Sequence, residues 1–314
     1  MRTHCPRSLA ITAGLALIAG ACTETNLSGP AAPSAAGVIV FASNREDRNF
    51  EIYRINPDGR GLTRLTHDPE HNDYDPVLSR DGSRIAWERE IAAAGTGIVS
   101  TEIWVMNADG SDQHGVVSNG ASNATPSWGA GDRTLVYASD VGGDWDIYSV
   151  PASGGAPTNL TNSPLADQYP RVSPDGSRVL FQTNRDLNFE IYSMAADGSD
   201  VRDLSNSTAD DRFPAWTPDG QHVVWSRYID DFDLWVMQAD GSNQRTLIST
   251  PYAEVAPAVS PDGNSVVFQT DRVPPASLFI LPLDGGPPRQ LTNLPGSPGG
   301  TDFGPWWGGP TRSP

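Results

Sequence analysis

The chain predicts an all-β fold: a six-bladed β-propeller of four-stranded antiparallel blades, closed by the C-terminal strand pairing with the N-terminal blade. Three observations predict it. A proline leading an apolar run recurs at Pro76, Pro126, Pro170, Pro214 and Pro257, and eleven residues later comes an aromatic, at Trp87, Tyr137, Phe181, Trp225 and Phe268. A second aromatic ends the phrases FEIY, TEIW, WDIY, FEIY, FDLW and ASLF, at Tyr53, Trp104, Tyr148, Tyr192, Trp235 and Phe279. The 314 residues include 31 Gly and 27 Pro, which punctuate short runs and leave no long helix-forming stretch. A self-similar unit of about 45 residues cannot cover both faces of its own sheet, whereas radial stacking of such units does so.

Each unit resolves into four strands. Between the proline-led run and the first aromatic strand lies a turn: SRDG, GAGD, SPDG, TPDG or SPDG. Five residues past the second aromatic stands Asp-Gly, at Asp58, Asp109, Asp197, Asp240 and Asp284, with ASGG in the third unit. Glycine in such turns supplies the positive φ that side chains resist. The proline is placed at the start of the innermost strand, where its missing N–H is tolerated. A pair such as Leu65-Thr66, Leu160-Thr161 or Leu291-Thr292 marks the outermost strand. Alternation is weak, as in VLFQ and VVWS, which fits sheets covered on both faces.

Phe41, in GVIVFASNR, begins a sixth such unit, yet no proline-led strand precedes it. GPWWG, residues 304–308, has the character of that missing strand and nothing after it to pair with. Pairing the two completes the ring and removes two exposed sheet edges. The propeller is placed at residues 37–309, with 310–314 as a tail.

Residues 1–21 begin with Arg2 and Arg7 and continue into an uncharged, mostly apolar run at 9–21. That run is shorter than the ~20 residues a spanning helix needs and suits the core of a secretory signal. Gly20 and Ala21 lead directly to Cys22, an arrangement that resembles a bacterial lipoprotein signal. The resemblance implies lipidation of Cys22. Residues 22–36, small and polar, read as a flexible tether. Cys5 is the only other cysteine, so neither a disulfide framework nor thiol catalysis is expected in the folded body. The expected location is the cell envelope, with the protein exported, membrane-anchored and monomeric, facing the periplasm or the cell surface.

The formal charge is −17, and all 21 basic residues are Arg. Such acidity repels nucleic acid and anionic headgroups and suits basic partners or divalent cations. No G-x-S-x-G elbow, phosphate loop or Cys/His cluster occurs, so no enzyme is predicted.

The face opposite the Asp-Gly turns carries the charged candidates. Ahead of the prolines come Asp73 and Asp75, Asp167, Asp210 and Asp211, Glu254, and Asp302; one unit has Ser122 and Asn123 instead. After the first-aromatic strands come Arg45, Arg89, Arg185, Arg227 and Arg272, with Asp140 in one unit. Two readings stay open: ion pairs between blades, or a charged channel mouth that receives a ligand or a peptide terminus. The loop HDPEHNDYD holds His67, Glu70 and His71, weak metal candidates because Asp68-Pro69 marks a loop and the order His-Glu-x-x-His is not met. Its oxygens suit calcium better than zinc; no other cofactor is predicted. The connection between Trp87 and Trp104 is the longest of its class. Its insert AAAGTGIVS, residues 92–100 with Ile98 and Val99, is a candidate partner contact. Trp306 and Trp307 read either as a stacking platform or as core.

The phrases SNREDRNFEIY and SPDGSRVLFQTNRDLNFEIYSMAADGS resemble the repeats of TolB-type propellers. The same repeats occur in propeller domains attached to some prolyl-oligopeptidase-like peptidases, whose catalytic domain has no counterpart here. The resemblance covers nearly all of residues 37–309. It implies a non-enzymatic module of the bacterial envelope that binds a protein or peptide. The alternative is a calcium-dependent propeller enzyme, a lyase or lactonase acting on sugars, for which His67, His71 and His222 would have to converge in the channel.

Overall fold

The computed structural model describes residues 37–92, 99–284, 286–293 and 299–309. The signal, Cys22, the tether and the tail lie outside the described residues. Among the described residues are six sheets of four strands each, and neighbouring strands within each sheet are antiparallel.

Blade one joins the two ends of the propeller. Its innermost strand is Asp302–Gly308, followed outward by Val38–Ser43, Glu51–Ile55 and Thr63–Arg64. Ile39 lies opposite Trp307, and Ser43 opposite Asp302. Closure is therefore as the sequence predicts. Blades two to six start at Asp73–Leu78, Asn123–Trp128, Asp167–Val172, Asp210–Trp216 and Glu254–Val259, and each runs outward in chain order.

The two aromatics of each unit are cross-strand partners. Phe41 faces Tyr53, Trp87 faces Trp104, Tyr137 faces Tyr148, Phe181 faces Tyr192, Trp225 faces Trp235 and Phe268 faces Phe279. The first member of each pair is fully buried. Such pairs stabilise a sheet by their mutual contact as well as by burial. The weak alternation is explained by what lies on either side. Val40, Ala42 and Ile52 of blade one pack on Ile85, Trp87 and Met106 of blade two, and equivalent clusters fill the other seams. The last seam places Val267 and Leu278 of blade six against Ile39, Phe41 and Trp307 of blade one.

The outer strands are short, and hydroxyls latch them. The Ile52 N–H donates to Thr66 Oγ1 at 2.9 Å, Ile147 to Thr161 at 3.0 Å, Ile191 to Ser205 at 2.8 Å and Leu278 to Thr292 at 2.9 Å. This accounts for the Leu-Thr pairs. The outer Asp-Gly turns dock on the preceding blade. Gly241, at φ +89°, would place a Cβ 2.7 Å from the Leu204 carbonyl oxygen, so both conformation and space demand glycine there.

One element differs from its sequence reading. The recurring prolines do not begin their strands; each lies three residues after the leading acid or Asn123, inside a β-bulge. The residue before each proline has positive φ: Asp75 (45°), Thr125 (52°), Tyr169 (54°), Phe213 (56°), Ala256 (52°) and Gly304 (53°). Five of these carry side chains that resist this region, at a cost of about 1–2 kcal/mol each. Proline also disfavours right-handed helical backbone in the residue before it. The bulge bends the innermost edge and the proline removes a donor from it, so six edges can line one channel without offering a template for another strand.

Candidate functional site at the two ends of the channel

At the mouth, in five of the six blades the acid three residues before the proline is fully buried and meets an arginine of its own blade. Arg89 holds Asp73 in a fork at 2.7 and 2.8 Å, and Arg227 holds Asp211 at 2.7 and 2.8 Å. Arg185 lies 3.0 Å from Asp167, Arg272 lies 2.9 Å from Glu254, and Arg45 lies 2.6 Å from Asp302. The pairs therefore form within blades, not between them as expected. In blades two and five the arginine lies directly across the ladder from its acid. In blades one, four and six it comes two residues past the hydroxyl residue that occupies that place. Either route delivers the guanidinium over the second aromatic of its blade, for example 4.4 Å above Trp104 and 4.8 Å above Tyr192, and in blades one, two, four and five over the first as well. In blades two and five, cation–π contact and a two-pronged ion pair thus coincide. Burial raises the pKa of Asp167, Glu254 and Asp302, and the arginines oppose that rise.

Blade three has no such pair. Asn123 takes the acid's place and bonds to neutral groups: its amide donates to the Thr101 carbonyl (2.9 Å) and to Asn119 Oδ1 (2.8 Å), and its oxygen accepts from Ser139 Oγ (2.8 Å). Asp140 accepts from the Ser122 N–H at 2.8 Å.

The remaining acids sit apart. Asp210 pairs with Arg212 at 3.0 Å and accepts from the Phe189 N–H. Asp75 lines the channel at the bulge and would lie 2.5 Å from a Cβ on Gly304. Near it, Glu88 is pushed up to about 8, first by burial and then by the Asp75 charge, so it keeps its proton at neutral pH. Asp75 is also raised by burial, with Arg171 opposing.

In the loop after blade one, His71 Nδ1 lies 2.9 Å from Asp68 Oδ2, and that oxygen is 3.4 Å from Arg89. The Glu70 N–H donates to Asp68. Among the described residues, no three His, Cys, Asp or Glu side chains gather to hold a metal ion. His222 is exposed and borders an outer groove with Arg245 and Leu247, so it does not converge with His67 and His71 in the channel. The long hairpin of blade two is paired out to Ala92 and Val99. Residues 93–98, Ile98 included, lie outside the described residues. Trp307 is buried core between blades six and one, and Trp306 is half-buried, packing against the blade cores while it borders the channel.

Arg171, one residue past the proline of blade four, escaped sequence reasoning. The corresponding residues are Val77, Ser127, Ala215, Ala258 and Trp306. A lone arginine in that column was the available signal. It borders a narrow space of about 20 Å³ within the proline ring, and on the turn side a cavity of about 380 Å³.

The TolB beta propeller domain family matches residues 89–252, just over half of the chain. The Tol-Pal system protein TolB of Francisella tularensis is 35% identical over 80 residues, 25% of this chain and 18% of that protein. The TolB homolog of Chlorobium luteolum is 32% identical over 147 residues, 47% of this chain and 31% of that protein. The matched segments thus span less than a third of these relatives' own length. The crystal structure of TolB from Acinetobacter baumannii superposes with a TM-score of 0.75 at 18% identity, covering 88% of this chain and 68% of that one, a likeness of fold. Family match and blade architecture agree, and the chain belongs to the TolB beta-propeller domain family.

Proposed function

We propose that the protein is a non-catalytic binding module of the bacterial cell envelope, tethered through lipidated Cys22, that receives a protein or peptide at the channel mouth. One observation carries the mouth assignment. Aromatic rings run from the proline ring outward: Tyr169 to Phe213 at 4.8 Å, Phe213 to Phe232 at 6.4 Å, and Phe232 to Tyr228 at 5.1 Å. The line ends in Tyr228, 47% exposed, and Ile229, 56% exposed, next to Asp230 and Asp231. Exposed aromatic and aliphatic groups edged by acids suit an apolar peptide segment with basic flanks. The relatives' name, which places them in a Tol-Pal system, supports a protein partner. The five ion pairs, whose acids are fully buried, would hold the mouth loops in place, and the blade-two hairpin would add contact area.

The test is cross-linking in intact cells followed by recovery of the protein, with Tyr228→Ser/Ile229→Ser beside the parent. Loss of a cross-linked partner in the double variant, with an unchanged melting curve, is the expected result. If every partner is retained, the mouth assignment fails. Fractionation of Cys22→Ala tests the anchor separately: the variant should leave the membrane fraction.

A further inference from the structure

We propose that the cavity on the turn side of the channel is a second, separate binding site, for an organic carboxylate carried on an apolar or aromatic body, with Arg171 receiving the carboxylate. The cavity, about 380 Å³, falls within the size range of small-ligand sites. Its walls include Leu78, Trp128, Val172, Trp216 and Val259, with Trp306 beside Arg171. Two of the indoles are fixed in place by bonds between blades. Trp128 Nε1 donates to the Val77 carbonyl and Trp216 Nε1 to the Arg171 carbonyl, both at 3.0 Å. A pocket whose walls are already ordered spends little conformational entropy on binding.

Its charge runs against that of the chain. The protein carries −17, yet the charged groups bordering this cavity are Arg80, Arg171 and Asp132. Asp132 is occupied, accepting the backbone N–H groups of Arg80 and Asp81 at 3.0 and 3.1 Å, and Arg80 donates to the Ser173 carbonyl at 3.1 Å. Arg171 makes no ion pair among the described residues. Its guanidinium donates to the Pro170 carbonyl at 2.9 Å and lies 6.0 and 5.5 Å from the rings of Tyr169 and Trp306. Asp75, the nearest influence of opposite sign, borders the narrow space on the other side of Arg171 and not the cavity. Burial weakens the hold of Arg171 on its proton. A half-buried guanidinium with donors unfilled, bordering a cavity, is a place where a carboxylate binds in a two-pronged fashion. The space beyond it, about 20 Å³, has room for roughly one water. A ligand enters from the turn face and stops at Arg171.

The carboxylate can come from a free organic acid or from the C-terminus of a peptide with an apolar last residue, and the experiment separates them. Tryptophan fluorescence and calorimetry on the purified protein are followed during titration with 3-phenylpropionate and with acetyl-Ala-Ala-Phe. The amides of both and phenylpropylamine serve as controls. Saturable binding of at least one acid is expected, with its amide and the amine about tenfold weaker or absent. Arg171→Met should weaken the acid about tenfold or more, and Arg171→Lys should restore part of the loss. Should Arg171→Met fail to fold, Pro218→Trp at the exposed rim is expected to block entry while the melting curve holds. Absence of saturable acid binding, equal binding of acid and amide, or full affinity in Arg171→Met or in Pro218→Trp each overturns the proposal. Binding of only one acid assigns the source. Tyr228→Ser/Ile229→Ser should bind the acids as the parent does, so failure here is distinct from failure at the mouth.

Discussion

Arg227 and Arg171 lie at opposite ends of the same channel, and both are largely withdrawn from water. Arg227 grips both oxygens of Asp211, stacks 4.5 Å over Trp235 and bonds Gln244 at 3.0 Å. Arg171 has one carbonyl and no carboxylate. The pairing at the mouth recurs in five blades and holds strands together, so it reads as scaffold. The Arg171 arrangement occurs in one blade and leaves donors unfilled, which reads as a site. Repetition and satisfaction thus separate architecture from function among residues of a single type.

The ring itself sets the largest test of that contrast. Deleting residues 304–314 removes most of the innermost strand of blade one and exposes the edge of Val38–Ser43. Cooperative melting should be lost and aggregates should appear, as read by circular dichroism and gel filtration. A truncated chain that melts unchanged would show that closure does not support either end of the channel.

Next comes the contrast between the two arginines. Asp211→Ala takes the carboxylate from the buried Arg227, leaving it Gln244 alone, and leaves the Trp225 indole N–H, now 2.7 Å from Asp211, without its acceptor. A loss of about 3–5 kcal/mol is expected in denaturant unfolding. Arg171→Met should change stability by less than about 1 kcal/mol in either direction, because no ion pair is broken. Equal losses would erase the distinction.

Blade three offers a smaller effect. Asn123→Asp places a carboxylate among partners arranged for an amide and should lose about 2 kcal/mol. Val141, two residues past Ser139, stands where blades one, four and six carry arginine. Adding Val141→Arg should return part of the loss if the pair is a transferable unit.

The last test concerns the channel interior. Glu88 is raised by burial to about 8, so the folded state holds a proton that the unfolded chain has released above its ordinary value of 4.5. Its contribution is present at pH 4 and fades as pH rises toward 8, with a slope of at most about 1.4 kcal/mol per pH unit. Glu88→Gln should flatten that limb in unfolding curves measured from pH 5 to 8. An unchanged limb would place the titration elsewhere.

Much of this was legible in the chain. The eleven-residue spacing from proline to aromatic fixed blade number and strand pairing, and every aromatic pair proved to be a cross-strand pair. The acids and arginines were found by position, yet their pairing within blades was not. Arg89 and Arg227 come two residues after their aromatic, and Arg45, Arg185 and Arg272 come four after. A linear reading cannot see that both spacings reach one point in space. The bulge was missed because proline at a strand start and proline at a bulge look identical in sequence. His222 was grouped with His67 and His71 because distance across a ring has no linear trace.

The sequence by itself determined what is local or periodic: turns from Asp-Gly, strands from short apolar runs, and a repeat that cannot bury its faces except beside copies of itself. Tertiary structure alone decided which charges are satisfied. Whether a guanidinium meets a carboxylate depends on side chains converging from different strands, and their energies depend on how much water the surrounding blades exclude. Residue type gives neither quantity: the column past the prolines marks Arg171 as unlike its equivalents, but only the placement of the blades shows that no carboxylate meets it.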